Sequence, residues 1–325
     1  MKRVCFCLLA LLFLVGCSKD VHTQYYLMDT VMSFEIYGES AADAEQEIAD
    51  KIATLETLFS PTRAESELSR VNAGAGTSVE MSEEFARLLT LSLKANEETN
   101  GAFDPTLGAA INLWKKETVP TPEALSELTV GCENVHINGT DVQLQNGLKL
   151  DFGAVAKGYA SDCAKEILER YHIPNALLSL GGNVYAKGGK KDGSPWLVGV
   201  RDPNGAQNDW LGILGVRDRF LVASGDYERF FEQDGVRYHH ILDPTTLAPA
   251  KSDLREVVVV CDNGTRADIL STALFVMGYE TAVDCWKEHR DFELVLVKDG
   301  TVSITSNLAE EFTLTNPAYR LEVIE

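Results

Sequence analysis

A chain of 325 residues with 49 acidic and 29 basic side chains carries a formal net charge of −20. That excess repels a phosphate backbone and argues against a nucleic-acid partner. It also obliges any anionic ligand to find local help from a cation, a lysine or a helix end. The apolar content of 45% is ordinary for a folded protein, and the length suits one large domain or two packed closely.

The N-terminus opens on the basic Met1-Lys2-Arg3, followed by an apolar run from Val4 to Val15 and then Gly16-Cys17-Ser18. The run has the length of a signal-peptide core and is short for a membrane span. Leu14-Val15-Gly16-Cys17 resembles the lipobox of bacterial lipoproteins. That resemblance implies cleavage before Cys17 and lipid attachment to it; an uncleaved anchor is the alternative. Either way the folded part is expected outside the cytoplasm, tethered to a bacterial membrane on its periplasmic face. The expected organisation is a leader over 1–16, a lipidated tether over 17–24 and one folded domain over 25–325. Cys132, Cys163, Cys261 and Cys285 are far apart and lack zinc spacing, and nothing indicates a disulfide.

Tyr25 to Tyr37 alternates as a strand, and Ala41 to Leu58 has the three- and four-residue apolar spacing of an amphipathic helix through Ile48, Ile52, Leu55 and Leu58. Ser82-Glu83-Glu84-Phe85 reads as a capped helix start, with an apolar face through Leu88, Leu89, Leu91 and Leu93. Gly101-Ala102-Phe103-Asp104-Pro105-Thr106 follows. Asp-Pro-Thr is an ordinary turn sequence, but Phe103 is placed to cover a flat ring and a second Asp-Pro-Thr begins at Asp243. Residues 115–146 read as a peripheral insertion.

The chain is organised around residues 150–162, read as a short strand, a turn bracketed by Gly153 and Gly158, and a helix with Tyr159, Cys163, Ile167 and Tyr171 on one face. A helix N-terminus beside Lys157 suits a phosphate or pyrophosphate, although the Walker A spacing is missing. A plain strand–turn–helix junction is the structural alternative. Pro174 to Leu180 is a buried strand ending at Gly181-Gly182, and Trp196 to Arg201 is another. This order suggests mixed α/β packing with a ligand loop at a strand end. Phe220 to Gly225 leads towards Asp234-Gly235, a hairpin signal, and then His239-His240-Ile241. Alternation puts the two histidines on opposite faces, so one of them can face a cleft as a proton acceptor while a purely structural histidine remains open.

Glu256 to Val260 is a β-branched strand, and Asn263 to Gly278 is a capped helix with a glycine stop. Asp268 and Thr272, four apart, share a helix face. One carboxylate and one hydroxyl make a sparse oxygen set that suits Mg²⁺ borrowing ligands from phosphate and water. The structural alternative is an Asp that favours the helix dipole beside a buried Thr. Phe292 to the C-terminus reads as closing antiparallel strands.

Met28-Asp29-Thr30, Ser66-Glu67-Leu68-Ser69 with Asn72, Gly101 to Thr106, Asp151 to Tyr159, Gly181-Gly182, Ser224-Gly225-Asp226-Tyr227, His240 to Pro244, and Ala267-Asp268 with Ser271-Thr272-Ala273 occur in this order with sensible gaps. From Met28 to the C-terminal strands the chain resembles the ApbE family of flavin transferases. The resemblance implies an α/β (α+β), T-fold-like architecture with mixed sheets, packed helices and a cleft for FAD. It also implies Mg²⁺-dependent transfer of FMN from FAD to a Thr or Ser hydroxyl of a membrane-associated acceptor protein, releasing AMP. On this reading Met28, Ala102, Phe103, Asp104, Asp151, Lys157, His240 and Ile241 contact FAD. Ala154 (through its carbonyl), Asp268 and Thr272 hold the metal, and His240 is the base. Many members carry an aromatic residue before the Ser-Glu-Leu-Ser motif where this chain has Thr62. An FAD pyrophosphatase giving FMN and AMP, and a non-catalytic flavin-binding lipoprotein, are the alternatives.

Overall fold

The strand Glu256–Cys261 is buried at all six positions, which requires cover on both faces of its sheet. Val257, Val259 and Cys261 belong to a core under helices, whereas Val258 and Val260 belong to a core under a second sheet. The period of two thus divides one strand between two cores. Leu294 and Leu296 against Val295 and Val297 repeat the division on the neighbouring strand. The computed structural model describes residues 20–206 and 208–325; the expected leader and the lipid site at Cys17 lie outside the described residues.

The central sheet has nine strands, in spatial order Val21–Leu27, Thr30–Tyr37, Asn175–Leu180, Asn183–Lys187, Arg219–Gly225, Glu256–Cys261, Glu293–Lys298, Thr301–Thr305 and Arg320–Ile324. Among the described residues the α-helices are α1 (Ala41–Phe59), α2 (Glu67–Ala73), α3 (Glu83–Glu98), α4 (Gly108–Trp114), α5 (Pro122–Ser126), α6 (Ala156–Arg170), α7 (Gly264–Met277) and α8 (Tyr279–His289). Residues of α1, α6, α7 and α8 share the larger core. The opposite face is covered by a three-stranded sheet of Trp196–Arg201, Trp210–Val216 and Phe312–Leu314. A smaller cluster of Leu107, Ala110, Trp114, Leu242 and Leu247 fastens the 101–114 segment to the segment after His240. There the Trp114 indole N–H donates to the Leu247 carbonyl at 2.8 Å and its ring stacks on Tyr238.

Several expectations change. Residues 25–37 are not one strand. Met28 and Asp29 adopt φ of 50° and 57° and turn the chain between two antiparallel strands, and the first of these starts at Val21, inside the expected tether. The stretch before α6 is a loop with a single bridge between Leu107 and Lys149. Lys157 and Gly158 accordingly lie in the helix and not in the turn before it. The strand after α6, Asn175–Leu180, runs antiparallel to both its neighbours. The closing strands are not all antiparallel, since Arg320–Ile324 is parallel to Thr301–Thr305. On α3, Phe85, Leu88, Leu89 and Ser92 are buried while Leu91 is 40% exposed. Residues 135–144 form a small sheet with Ser78–Glu80 and place Val135, Val142 and Leu144 in the main core, so the 115–146 segment is not wholly peripheral.

Candidate active site

Helices α6 and α7 cross at two glycines. A Cβ on Gly158 would lie 2.3 Å from the Gly264 carbonyl oxygen and 2.6 Å from Asp268 Cβ. Gly158 is therefore required for helix–helix approach, not for bringing backbone near a ligand. Asp162 of α6 caps α7, accepting the Gly264 and Thr265 N–H groups at 2.7 and 2.8 Å and the Thr265 hydroxyl at 2.6 Å, while Asn263 accepts the Arg266 N–H. The helix end is thus satisfied before Asp268, which lies beyond the first turn. The dipole account of Asp268 does not hold.

Asp268 is 4% exposed. Its well-formed hydrogen bond comes from the Gly158 N–H at 2.8 Å. Burial pushes its pKa up, opposed by the Lys157 charge, the Gly158 N–H and the Asn183 amide. Gly158 is the third residue of α6, so its N–H has no partner within the helix. Asp268 takes that donor instead, and among the described residues no hydrogen bond reaches the Ala154 carbonyl oxygen. Thr272 lies one turn beyond Asp268, its hydroxyl 3.3 Å from Ser224 Oγ. No group of three or more His, Cys, Asp or Glu side chains converges among the described residues. A lone carboxylate, a free carbonyl and a hydroxyl fit a hard cation that keeps water and takes phosphate oxygens, which is the habit of Mg²⁺.

Lys157, half-buried beside Gly158 on α6, lends a positive charge that favours the Asp268 carboxylate and, as the least of several causes, disfavours protonation of His240. His240 follows the strand Val236–His239. Its backbone N–H and its Nδ1 both meet the Arg229 carbonyl, at 3.0 and 3.2 Å. A carbonyl only accepts, so Nδ1 carries the proton and Nε2 keeps its lone pair. Desolvation pushes its pKa down, helped by the Arg229, His239 and Lys157 charges and opposed by the Arg229 carbonyl. The ring is crowded by protein yet its surface is open, so water reaching it offsets part of that shift; the direction leaves it neutral at pH 7. His239 instead bonds the Ala250 carbonyl at 3.0 Å and packs edge-on against Phe275, a structural histidine.

The remaining candidates lie on loops. Thr30, just after the Met28-Asp29 turn, packs against Gly181, whose φ is +59°, and the Arg229 guanidinium reaches the Asp29 carbonyl. Asp151 accepts the Gly153 N–H through Oδ1 and has Lys115 at 3.9 Å from Oδ2. Asn72 fixes the preceding residue by paired bonds to the Leu150 carbonyl and N–H, which gives the Ser66 to Asn72 motif its purpose. Asp104 accepts the Thr106 N–H and hydroxyl, and Asp243 does the same for Thr245, so both Asp-Pro-Thr segments are self-bonded turns. Phe103 is 3% exposed within the main core and offers no open ring face; Ala102 is partly buried, and Ile241, next to His240 in sequence, is buried. A separate cavity of about 850 Å³ opens among α1, α3, α6, α7 and α8, lined by Lys51, Glu84 and Cys163 among others but by none of Lys157, His240, Asp268 and Thr272.

Sequence reasoning missed Asp162, Arg229 and Asn183. Asp162 caps a helix that begins 102 positions away, so its role is invisible in linear spacing. Asn183 had one available signal, a polar residue at the start of an apolar strand.

The ApbE family model matches residues 28–296. The FAD:protein FMN transferase of Treponema pallidum (strain Nichols) is 34% identical, over 91% of this chain and 90% of its own. That of Vibrio cholerae is 32% identical over 94% and 97%. Among solved structures, an ApbE protein from Thermotoga maritima matches with a TM-score of 0.80 at 32% identity, over 87% of this chain and 95% of its own. The flavin transferase ApbE from Vibrio cholerae matches with 0.78 at 27%, over 92% and 97%. Likeness in sequence and in backbone thus extends across nearly the whole described chain, including both helices that meet at Asp268, and the chain belongs to the ApbE family.

Proposed function

We propose that this protein is an FAD:protein FMN transferase that moves FMN from FAD to a Thr or Ser hydroxyl of an acceptor protein through a phosphoester bond. The observation that carries the proposal is the buried Asp268 carboxylate, bonded by the Gly158 N–H at 2.8 Å and one helical turn from Thr272, in a chain of the ApbE family. Ala154, Asp268 and Thr272 would hold Mg²⁺, which when bound neutralises pyrophosphate charge. Lys157 adds a fixed positive charge against the same phosphates, countering the acidic protein. His240 Nε2 accepts the proton of the acceptor hydroxyl as its oxygen bonds to the FMN phosphorus. The phosphorus–oxygen bond to the AMP half breaks, and AMP leaves with the bridging oxygen. Arg229 holds the imidazole in the tautomer this needs. Lipid attachment at Cys17, with a membrane-associated acceptor on the extracytoplasmic side, belongs to the same proposal.

Exposure of His240 supports a second reading, FAD pyrophosphatase, in which water replaces the hydroxyl. Purified full-length protein with FAD, Mg²⁺ and a hydroxyl-bearing acceptor decides between them. Transfer predicts AMP release with flavin fluorescence on the denatured acceptor. His240→Ala then retains FAD affinity and loses about 10²–10⁴-fold in rate. AMP and free FMN with an unlabelled acceptor would establish the pyrophosphatase.

A further inference from the structure

Asn183 opens the strand Asn183–Lys187 immediately after Gly181-Gly182. It is 0% exposed, and neither Nδ2 nor Oδ1 has a well-formed hydrogen bond. An apolar residue would fill a fully buried position without leaving a donor and an acceptor unmet. Strand alternation puts its side chain on the face of Tyr185, which lies in the helix-covered core. That face is packed against α6 and α7, at whose crossing Asp268 lies buried with its Oδ2 on the Gly158 N–H.

Asp268 has a single backbone donor on Oδ2, and a carboxylate held at one oxygen still rotates. A lysine or arginine at the second oxygen would orient it but also neutralise it, competing with a cation for the same charge. An amide orients without neutralising. We infer that Asn183 is a positioning residue, donating its Nδ2–H to Asp268 so that the carboxylate stays aimed at the divalent cation. The inference rests on the proposed reading of Asp268 as a cation ligand. Partners of this kind behind metal ligands typically change affinity 10–100-fold.

The test uses the full-length protein with Mn²⁺ as the probe, its affinity read by electron paramagnetic resonance, together with the cation-free Tm and cation-free FAD affinity. Asn183→Leu should weaken Mn²⁺ binding about tenfold or more, leaving the cation-free Tm no lower and FAD affinity unchanged. Asn183→Ala, which cannot clash, should weaken Mn²⁺ similarly. Unchanged Mn²⁺ affinity in both variants, with or without a lowered Tm, overturns the inference and makes Asn183 a structural residue. Asp268→Asn separates the two levels. If it loses Mn²⁺ while Asn183→Leu keeps it, the positioning role alone fails. If Asp268→Asn binds Mn²⁺ as the wild type does, the cation-ligand reading fails and the inference falls with it.

Discussion

Replacing Gly158 with alanine places a methyl group 2.3 Å from the Gly264 carbonyl oxygen and 2.6 Å from Asp268 Cβ. Carbon and oxygen sit about 3.3 Å apart even in a close C–H···O contact, so α6 and α7 must separate by roughly 1 Å at their crossing. Both clashing groups are helix-borne, and no flexible side-chain tip can swing away. Overpacking of this kind costs about 1–3 kcal/mol. Separation also stretches the Gly158 N–H bond to Asp268, and a hydrogen bond to a charged group is worth about 1.5–3 kcal/mol. The sum, about 2.5–6 kcal/mol, is a large part of a typical folding free energy of about 5–15 kcal/mol. At about 2 °C per kcal/mol for a large chain, Tm should fall by about 5–12 °C. Below the transition, displacement of Asp268 by roughly 1 Å should cost about 10²-fold in AMP release. Scanning calorimetry and an AMP assay on folded protein check the two effects separately. Wild-type Tm and rate together would refute the tight crossing and the account of Asp268 built on it.

Asp268→Asn keeps an acceptor for the Gly158 N–H but removes a charge buried at 4% exposure, so AMP release should vanish while the cation-free Tm holds or rises; a large fall in Tm would make Asp268 a stabilising residue. Lys157→Met should weaken FAD binding, measured by fluorescence titration; an unchanged affinity would remove this half-buried lysine from the phosphate site. Glu256 is buried at 1% exposure with the Tyr227 hydroxyl 2.6 Å from Oε1 and Oε2 unpaired, and desolvation raises its pKa to about 8. Its folded form therefore keeps a proton that the unfolded chain releases near pH 4.5. The stability this gives is full below that pH and is lost as pH rises through about 8. Glu256→Gln should be more stable than the wild type by a margin that grows between pH 5 and pH 8.5; a margin independent of pH would show that Glu256 does not titrate there.

Elements that announce themselves locally were legible. The Ser82 cap of α3, the Asn263 cap of α7 and the Asp234-Gly235 hairpin all rest on neighbours within a few residues, and all are present. The Met28-Asp29 turn was hidden because Met28 gives no sign of the left-handed conformation that both residues adopt, although Asp29 tolerates it. The parallel Arg320–Ile324 strand was hidden because pairing direction depends on where the chain re-enters the sheet. At the site, Asp268 and Thr272 stood out by their four-residue spacing on one helix face, and Lys157 by its place at a helix start. What their chemistry depends on is non-local: Asp162 capping a helix 102 positions away, Gly158 giving its N–H to Asp268 across 110, and Arg229 setting the tautomer of His240. Phe103 shows the converse, a ring suited to a ligand by sequence and held in the core by packing.

The central claim is that one centre joins FMN to a protein hydroxyl while releasing AMP. Its most direct measurement is intact-protein mass spectrometry of the acceptor after reaction with FAD and Mg²⁺, with AMP counted in the same sample. The account predicts a mass gain equal to FMN less one water, matched mole for mole by AMP, and lost in His240→Ala and Asp268→Asn. AMP in full yield beside an acceptor of unchanged mass would contradict it.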